Sequence, residues 1–235
     1  MNTHQFEVIG HIESPYKEKF AIPRQPGLVQ DGGGRLVLHS PFSHPDSVRG
    51  LEQFSYIWVI FVFHQTASGG WKPLVRPPRL GGNAKIGVFA TRSTFRPNPI
   101  GMSLIELKGV TIEKNSVTLE LGSLDLVDGT PVIDIKPYLP FAESHPEAKA
   151  GFAQSAPAND MEVIFTSQAS AQLTQYQAKY PQLARFIAQV LAQDPRPAYK
   201  KQSCENRDYA VHLLDFNVCW RIVNNITEVF AVDLR

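Results

Sequence analysis

The sequence predicts a mainly β chain: a many-stranded, barrel-like domain followed by a smaller helix-plus-sheet subdomain. Three observations carry that expectation. Runs rich in Val, Ile, Leu and aromatic residues recur from 34 to 139, separated by turn residues. Near residue 141 the composition shifts, and "FAESHPEAKAGFAQSAPAND" (141–160) is rich in Ala, Ser and Pro. Beyond it, apolar residues fall at helical spacing over 183–191, and strand-like runs resume at 208–234.

Taken in order, residues 5–12 alternate as a strand, with Phe6, Val8 and either Ile9 or Ile12 turned inward. "SPYKEKFAIPRQPG" (14–27) is too proline-rich for a regular element. "GRLVLHSPF" (34–42) is a short strand, and "VRGLEQFSYIWVIFVFHQ" (48–65) opens as a turn and ends as a strong strand. "GGWKPLVRPPRLGG" (69–82) is an irregular excursion from which Pro77–Pro78 exclude a helix. "KIGVFA" (85–90) reads as a strand, and 100–139 as a series of strands with turns at "EKNS" (113–116) and "DGTP" (128–131). After "MEVIFT" (161–166), residues 168–178 form a helix, and Pro181 suits the first turn of another. Leu183, Phe186, Ile187, Val190 and Leu191 line its inner face, "DPRPAY" (194–199) ends it, and Asn224–Asn225 turn between the last strands. The expected domains are 1–145, a linker at 146–160, and 161–235.

The composition, 43% hydrophobic, is ample for a core, and no apolar run reaches the roughly 18–20 residues of a membrane span. "MNTHQFEVIG" has no basic segment leading into a long apolar one, so no signal peptide is expected. Cys204 and Cys219 make no metal motif and need not pair. The chain is expected in the cytoplasm. A net charge of +1 argues against bulk nucleic-acid binding, but its distribution is uneven. Residues 1–100 carry 11 Lys and Arg against 6 Asp and Glu. Between Glu52 and Glu106 there is no acid, whereas Lys72, Arg76, Arg79, Lys85, Arg92 and Arg96 are all there. Such a field steers an anionic partner, unless another part of the protein offsets it.

"STFRPNPIG" (93–101) is stiffened by Pro97 and Pro99, and Gly101 permits close backbone approach or a special dihedral. Arg92 and Arg96 offer guanidinium forks either to a ligand carboxylate or phosphate, or to structural carboxylates and carbonyls. Asp128–Gly129 form a turn whose acid either holds a ligand amine or hydroxyls, or caps backbone; Asp134 and Lys136 share a strand face. His64 and Gln65 stand where a strong strand ends, as ligand groups or as satisfied structural ones. Arg24–Gln25 sit in another stiff loop, and Asp194, Arg196 and Tyr199 either complete a pocket or cap a helix end. Ligand clusters for a metal are lacking. No Gly-x-Gly-x-x-Gly follows the first strand, so an ordinary Rossmann-type dinucleotide or nucleotide-methyl-donor fold is not expected, and neither a P-loop nor a Gly-x-Ser-x-Gly occurs.

Taken jointly, "GHIESPYKEKFAIPRQPG" (10–27), "VRGLEQFSYIWVIFVFHQT" (48–66), "RPPRLGG" (76–82), "GVFATRSTFRPNPIGMSL" (87–104), "LVDGTPVIDIKPYLPFAES" (126–144) and "QDPRPAY" (193–199) resemble the TsaA-like family. Its bacterial members of this type methylate N6 of N6-threonylcarbamoyladenosine at tRNA position 37. The resemblance covers essentially the whole chain. It implies a single-sheet β-barrel, a homodimer, S-adenosylmethionine as methyl donor and the tRNA anticodon loop as partner; no metal is expected, for want of a ligand cluster. By similarity, Pro23, Arg24, Gln25, His64, Gln65, Arg92, Leu104, Asp128, Gly129, Thr130 and Pro131 contact the donor. The matching "DPRP" (194–197) is expected near the site. Asp194 and His64 are the candidate bases, and Arg196 or Arg96 is the candidate partner for the threonyl carboxylate. A small-molecule methyltransferase and a non-catalytic module binding the donor or RNA are the alternatives.

Overall fold

The structure is a computed structural model, and it describes residues 3–81, 83–114, 116–157, 161–196 and 207–235. Two compact units divide the chain: 1–13, 34–122 and 129–155 form the first, and 14–33, 123–128 and 156–235 the second.

The first unit contains β1 (Gly10–Glu13), β2 (Gly34–Leu38), β3 (Tyr56–Val62), β4 (Leu74–Val75), β5 (Ile86–Gly87), β6 (Ile100–Glu113), β7 (Ser116–Leu121), β8 (Pro131–Pro137) and the short helix α1 (Pro140–Glu143). Six strands close into an antiparallel barrel in the order β1-β2-β7-β6-β3-β8, with β8 returning to β1. Closure leaves the six strands without an open sheet edge. Period-2 alternation sends Ile57, Val59 and Phe61 of β3 and Ser103, Ile105 and Leu107 of β6 to the buried face. Leu36, Leu119 and Val132 join them, each fully buried. A register shift between Leu107 and Gly109 lets the long β6 pair with β3 through its first half and with β7 through its second.

Several sequence expectations change here. Phe6 and Val8 are exposed rather than inward, because strand pairing with β2 begins only at Gly10, which leaves Ile12 as the buried residue. The expected strand at 85–90 is extended only at Ile86–Gly87, pairs with β4 outside the barrel, and runs into a 3-10 turn at Val88–Ala90. The 69–82 excursion is irregular but contains a 3-10 turn at Pro78–Leu80, where Pro78 sits in a first turn that needs no N–H from it. In the 113–116 turn, Lys114 takes a positive φ of 54°, while Asn115 lies outside the described residues. α1 lies just ahead of the 146–160 linker, and its Glu143 accepts from the Leu139 N–H at 2.8 Å and from Trp58 Nε1 at 2.9 Å.

The second unit contains β9 (Val163–Phe165), α2 (Ser167–Tyr176), α3 (Leu183–Ala192), β10 (Tyr209–Leu213), β11 (Phe216–Val223) and β12 (Ile226–Leu234). Its sheet runs β10-β11-β12-β9, with only β9 parallel to its neighbour. Thr166 caps α2 by accepting from the Ala169 N–H at 3.2 Å. Leu183, Phe186, Ile187, Val190 and Leu191 form the buried face of α3, as their spacing predicts. Pro181 precedes the cap Gln182, so it leads into α3 instead of lying in its first turn. Asn224 and Asn225 both have positive φ, the conformation that closes a two-residue hairpin in register with strand twist. Segment 14–33 is stitched into this unit. The fully buried Tyr16 packs on Phe186 at 5.8 Å and bridges to Leu213, and Asp31 receives Gln189 and Arg185. Among the described residues no helix is long and apolar enough to cross a membrane.

Candidate functional site

Most of the first-unit candidates gather at one end of the barrel. β3 ends at Val62, and the Phe63 N–H donates to the Pro99 carbonyl at 2.8 Å. The next two residues, His64 and Gln65, are exposed on the turn, which closes when Thr66 and Ala67 donate to the Phe63 carbonyl. The antiparallel register brings the starts of β6 and β8 to this same end: Ile100 lies opposite Val62, and Val132 opposite Phe61. Thr130 and Pro131 therefore adjoin the His64 turn, with Thr130 buried and its carbonyl accepting from the Ile12 N–H. Leu104 lies further along β6, half-buried and opposite Trp58, on the outward side.

The 91–99 loop is held by its own polar groups. Thr91 Oγ accepts from the Ser93 N–H, and Ser93 Oγ from the Phe95 N–H. Arg96 turns back into the loop and donates to the carbonyls of Thr91 at 2.8 Å and Val88 at 3.3 Å. Of its two sequence readings, Arg96 thus takes the structural one, while Arg92 is exposed. Gly101 is needed for close approach: a Cβ there would stand 2.4 Å from Phe61 Cζ and 2.8 Å from Phe63 Cζ. Those two rings meet edge to face at 5.2 Å, so backbone and aromatics together set where the loop re-enters the barrel.

In the second unit, Pro23 is buried, Arg24 exposed and Gln25 half-buried. Ser123 fixes the loop that follows by accepting from the Gly27 N–H and donating to the Val29 carbonyl. Asp128 accepts from the Ser14 N–H and pairs with Lys17, both at 2.8 Å. Gly129 follows with φ +73°, and among the described residues, its two chain neighbours aside, no atom lies within 4 Å of where its Cβ would be. Asp134 and Lys136, on the first-unit strand β8, form an ion pair at 2.8 Å.

Asp194 and Arg196 are brought together. Asp194 ends α3 with a positive φ of 49°, and its carboxylate grips the Arg196 guanidinium at 2.8 and 3.0 Å. Both side chains are about nine-tenths buried. The hydrogen bond to Asp194 raises the Arg196 pKa, partly offset by burial. Arg196 lines a cavity of about 280 Å³ with Glu18, Phe20, Arg207, Tyr209 and Trp220, near the small end of ligand sites. Tyr209 and Trp220 stack at 4.7 Å as directly opposed cross-strand partners. That pair was missed in the sequence, because its juxtaposition appears only with the β10–β11 register. Pro197, Tyr199 and Cys204 lie outside the described residues. Among the described residues no group of three or more His, Cys, Asp or Glu is placed to hold a metal ion.

A closed antiparallel barrel with ligand-type side chains at its strand ends, joined to a small α+β unit, defines a class apart from the doubly wound nucleotide-binding enzymes. Comparison with known proteins places the chain within that class. The tRNA-methyltransferase O N-terminal domain matches residues 11–144, and the TrmO C-terminal domain matches 158–235. The chain is 64% identical, over the full length of both proteins, to the tRNA (adenine(37)-N6)-methyltransferase of Escherichia coli. It is 46% identical to a putative S-adenosylmethionine-dependent methyltransferase, RcsF, of Pseudomonas aeruginosa, over 93% of this chain and 92% of that one. A crystal structure of TrmO from Pseudomonas aeruginosa superposes with a TM-score of 0.80 at 39% identity, covering 100% of this chain and 99% of the other. The chain belongs to the tRNA-methyltransferase O family.

Proposed function

We propose that this protein transfers a methyl group from S-adenosylmethionine to N6 of N6-threonylcarbamoyladenosine at position 37 of tRNA. The observation that carries this reading is the match of both family domains together with 64% identity to the Escherichia coli tRNA (adenine(37)-N6)-methyltransferase. The modified base, the anticodon loop and a homodimer belong to the proposal, as does action in the cytoplasm.

The donor contacts are proposed at Pro23, Arg24, Gln25, His64, Gln65, Arg92, Leu104 and the turn Asp128, Gly129, Thr130 and Pro131. The chemistry of this set suits the donor: amides and an imidazole for its amine and ribose, a guanidinium for its carboxylate, and a half-buried leucine for an apolar ring. The open space at the Gly129 Cβ position is compatible with a ligand lying against that turn. When bound, the donor supplies an electrophilic methyl carbon on a sulfonium, and its carbon–sulfur bond breaks as the bond to N6 forms. The protein's task is then alignment of N6 with that carbon.

N6 is a weak nucleophile, because its lone pair is delocalised into the purine and the carbamoyl group. Its proton must leave as the new bond forms. His64 and Asp194 are the proposed acceptors. The two-point contact with Arg196 engages both carboxylate oxygens of Asp194, which shifts the role towards His64. Arg196 is proposed to receive the threonyl carboxylate, held in one orientation by Asp194. Unmodified adenosine would leave that interaction unmade, which discriminates against it.

The test incubates purified protein with methyl-labelled S-adenosylmethionine and tRNA carrying or lacking threonylcarbamoyladenosine, followed by digestion to nucleosides. Label is expected in the modified nucleoside. Donor binding without consumption, or label that survives ribonuclease treatment of the substrate fraction in a small molecule, would replace this reading.

A further inference from the structure

Between β3 and β6 the chain leaves the barrel, forms the β4–β5 ribbon and returns, with no acidic residue from 53 to 105. This excursion exposes large rings: Trp71 is 55% and Phe89 74% exposed. Backbone bonds put the two strands of the excursion side by side. The Lys72 N–H donates to the Phe95 carbonyl at 3.1 Å, and the Val88 N–H to the Pro73 carbonyl at 3.0 Å. Cations sit on the rings there. Lys72 Nζ lies 4.4 Å from the Phe95 centroid, and the Arg96 guanidinium 5.7 Å from that of Phe89. Arg96 is itself fixed by the Val88 and Thr91 carbonyls, so Phe89 is backed by a rigid cation while most of its surface meets solvent. Arg76 and Lys85 are exposed on the same excursion.

We propose that this ribbon is a stacking platform for single-stranded RNA, with Trp71 and Phe89 receiving unpaired bases and Lys72, Arg76 and Lys85 meeting the phosphates between them. The inference rests on RNA being the substrate, as proposed above, and adds where the unpaired strand is gripped. Charge selects this occupant. Exposed aromatics interleaved with cations and free of carboxylates match a polyanion that carries a flat ring on every unit. A second copy of the chain would bring the same positive charge to the contact.

The experiment titrates fluorescent tRNA and a short single-stranded oligonucleotide into the full-length protein by anisotropy, at several salt concentrations. Trp71→Leu and Phe89→Leu keep an apolar side chain but cannot stack, and each is expected to weaken binding about 5- to 150-fold with an unchanged salt slope. Trp71→Phe should restore most of the affinity. Lys72→Ala with Lys85→Ala should lower the salt slope by roughly two units, near one per lost phosphate contact. Donor binding, read by calorimetry, should be unchanged in all variants. Leucine variants that bind RNA like wild type overturn the platform while leaving the methyltransferase reading intact, provided the wild type binds and labels tRNA. Leucine variants whose sedimentation mass falls while RNA affinity holds show instead that the rings pack between protein copies. A wild-type protein that binds no tRNA overturns both proposals.

Discussion

Gly101→Ala is the sharpest small perturbation of the barrel end that carries the candidate residues. The added methyl would stand 2.4 and 2.5 Å from two atoms of the Phe61 ring and 2.8 Å from Phe63. Ordinary contact needs about 3.5–4.0 Å between carbons, so the ring must retreat by more than about 1 Å. Phe61 is 5% exposed inside the barrel and packs edge-on against Phe63, which leaves it little room. Overpacking of this kind costs about 1–3 kcal/mol. For a chain of this length that is a fall in melting temperature of roughly 2–12 °C. Thermal and urea unfolding followed by circular dichroism measure it. Phe61→Leu, which removes the ring atoms nearest the new methyl, should cost less in the Gly101→Ala background than alone, with a coupling of about 0.5–3 kcal/mol. A Gly101→Ala protein that melts within a degree of wild type, or two additive substitutions, would refute the packing role assigned to Gly101.

Other expectations concern buried polar groups and substrate choice. Tyr16 is fully buried, and among the described residues its hydroxyl has no hydrogen-bond partner, so Tyr16→Phe should leave stability unchanged or raise it by about 1 kcal/mol in denaturant titration. Burial first, and the Asp125 charge second, push the Tyr16 pKa well above its ordinary value near 10. The unfolded chain therefore loses that proton first, and the associated stability is intact below about pH 10 and falls as pH rises above it. Melting curves from pH 8 to 11 should show a steeper alkaline loss in wild type than in Tyr16→Phe. Gly32→Ala would put a methyl 1.9 Å from the same hydroxyl, so it should lower the melting temperature in wild type and do so less in Tyr16→Phe. Arg196→Ala should reduce kcat/KM for tRNA carrying threonylcarbamoyladenosine while donor affinity holds; equal loss of donor binding in calorimetry would contradict its assignment.

The parts of the fold that were legible in the sequence are those set by local pattern. The apolar run "YIWVIFVF" (56–63), rich in Ile, Val and aromatics, marked β3, and 3.6-residue spacing marked the α3 face down to each buried residue. Asn224–Asn225 marked their hairpin, because tolerance of positive φ is a property of the residue itself. What stayed hidden depends on distant partners. Phe6 and Val8 alternate like a strand, yet nothing local says that pairing starts at Gly10. The strand read at 85–90 shrinks to Ile86–Gly87, because only Leu74–Val75 pair with it and no local pattern marks that limit. Tyr16 and Asp31 join α3 and the last sheet through contacts that span most of the chain. The same holds for the candidate site. The stiffness of 91–99 was readable from its prolines, but the commitment of Arg96 to carbonyls required the folded loop. The cavity beside Arg196 is built from the Tyr209–Trp220 pair, which no spacing in one strand reveals.

The most direct test of the central claim is a competition. Equal amounts of tRNA with and without threonylcarbamoyladenosine are incubated together with the protein and methyl-labelled S-adenosylmethionine, and the nucleosides are then separated and the methyl position assigned by fragmentation. The label is expected on N6 of the modified nucleoside, favoured over unmodified adenosine by at least about 100-fold. Equal labelling of the two tRNAs, or a methyl group on any other atom, would contradict it.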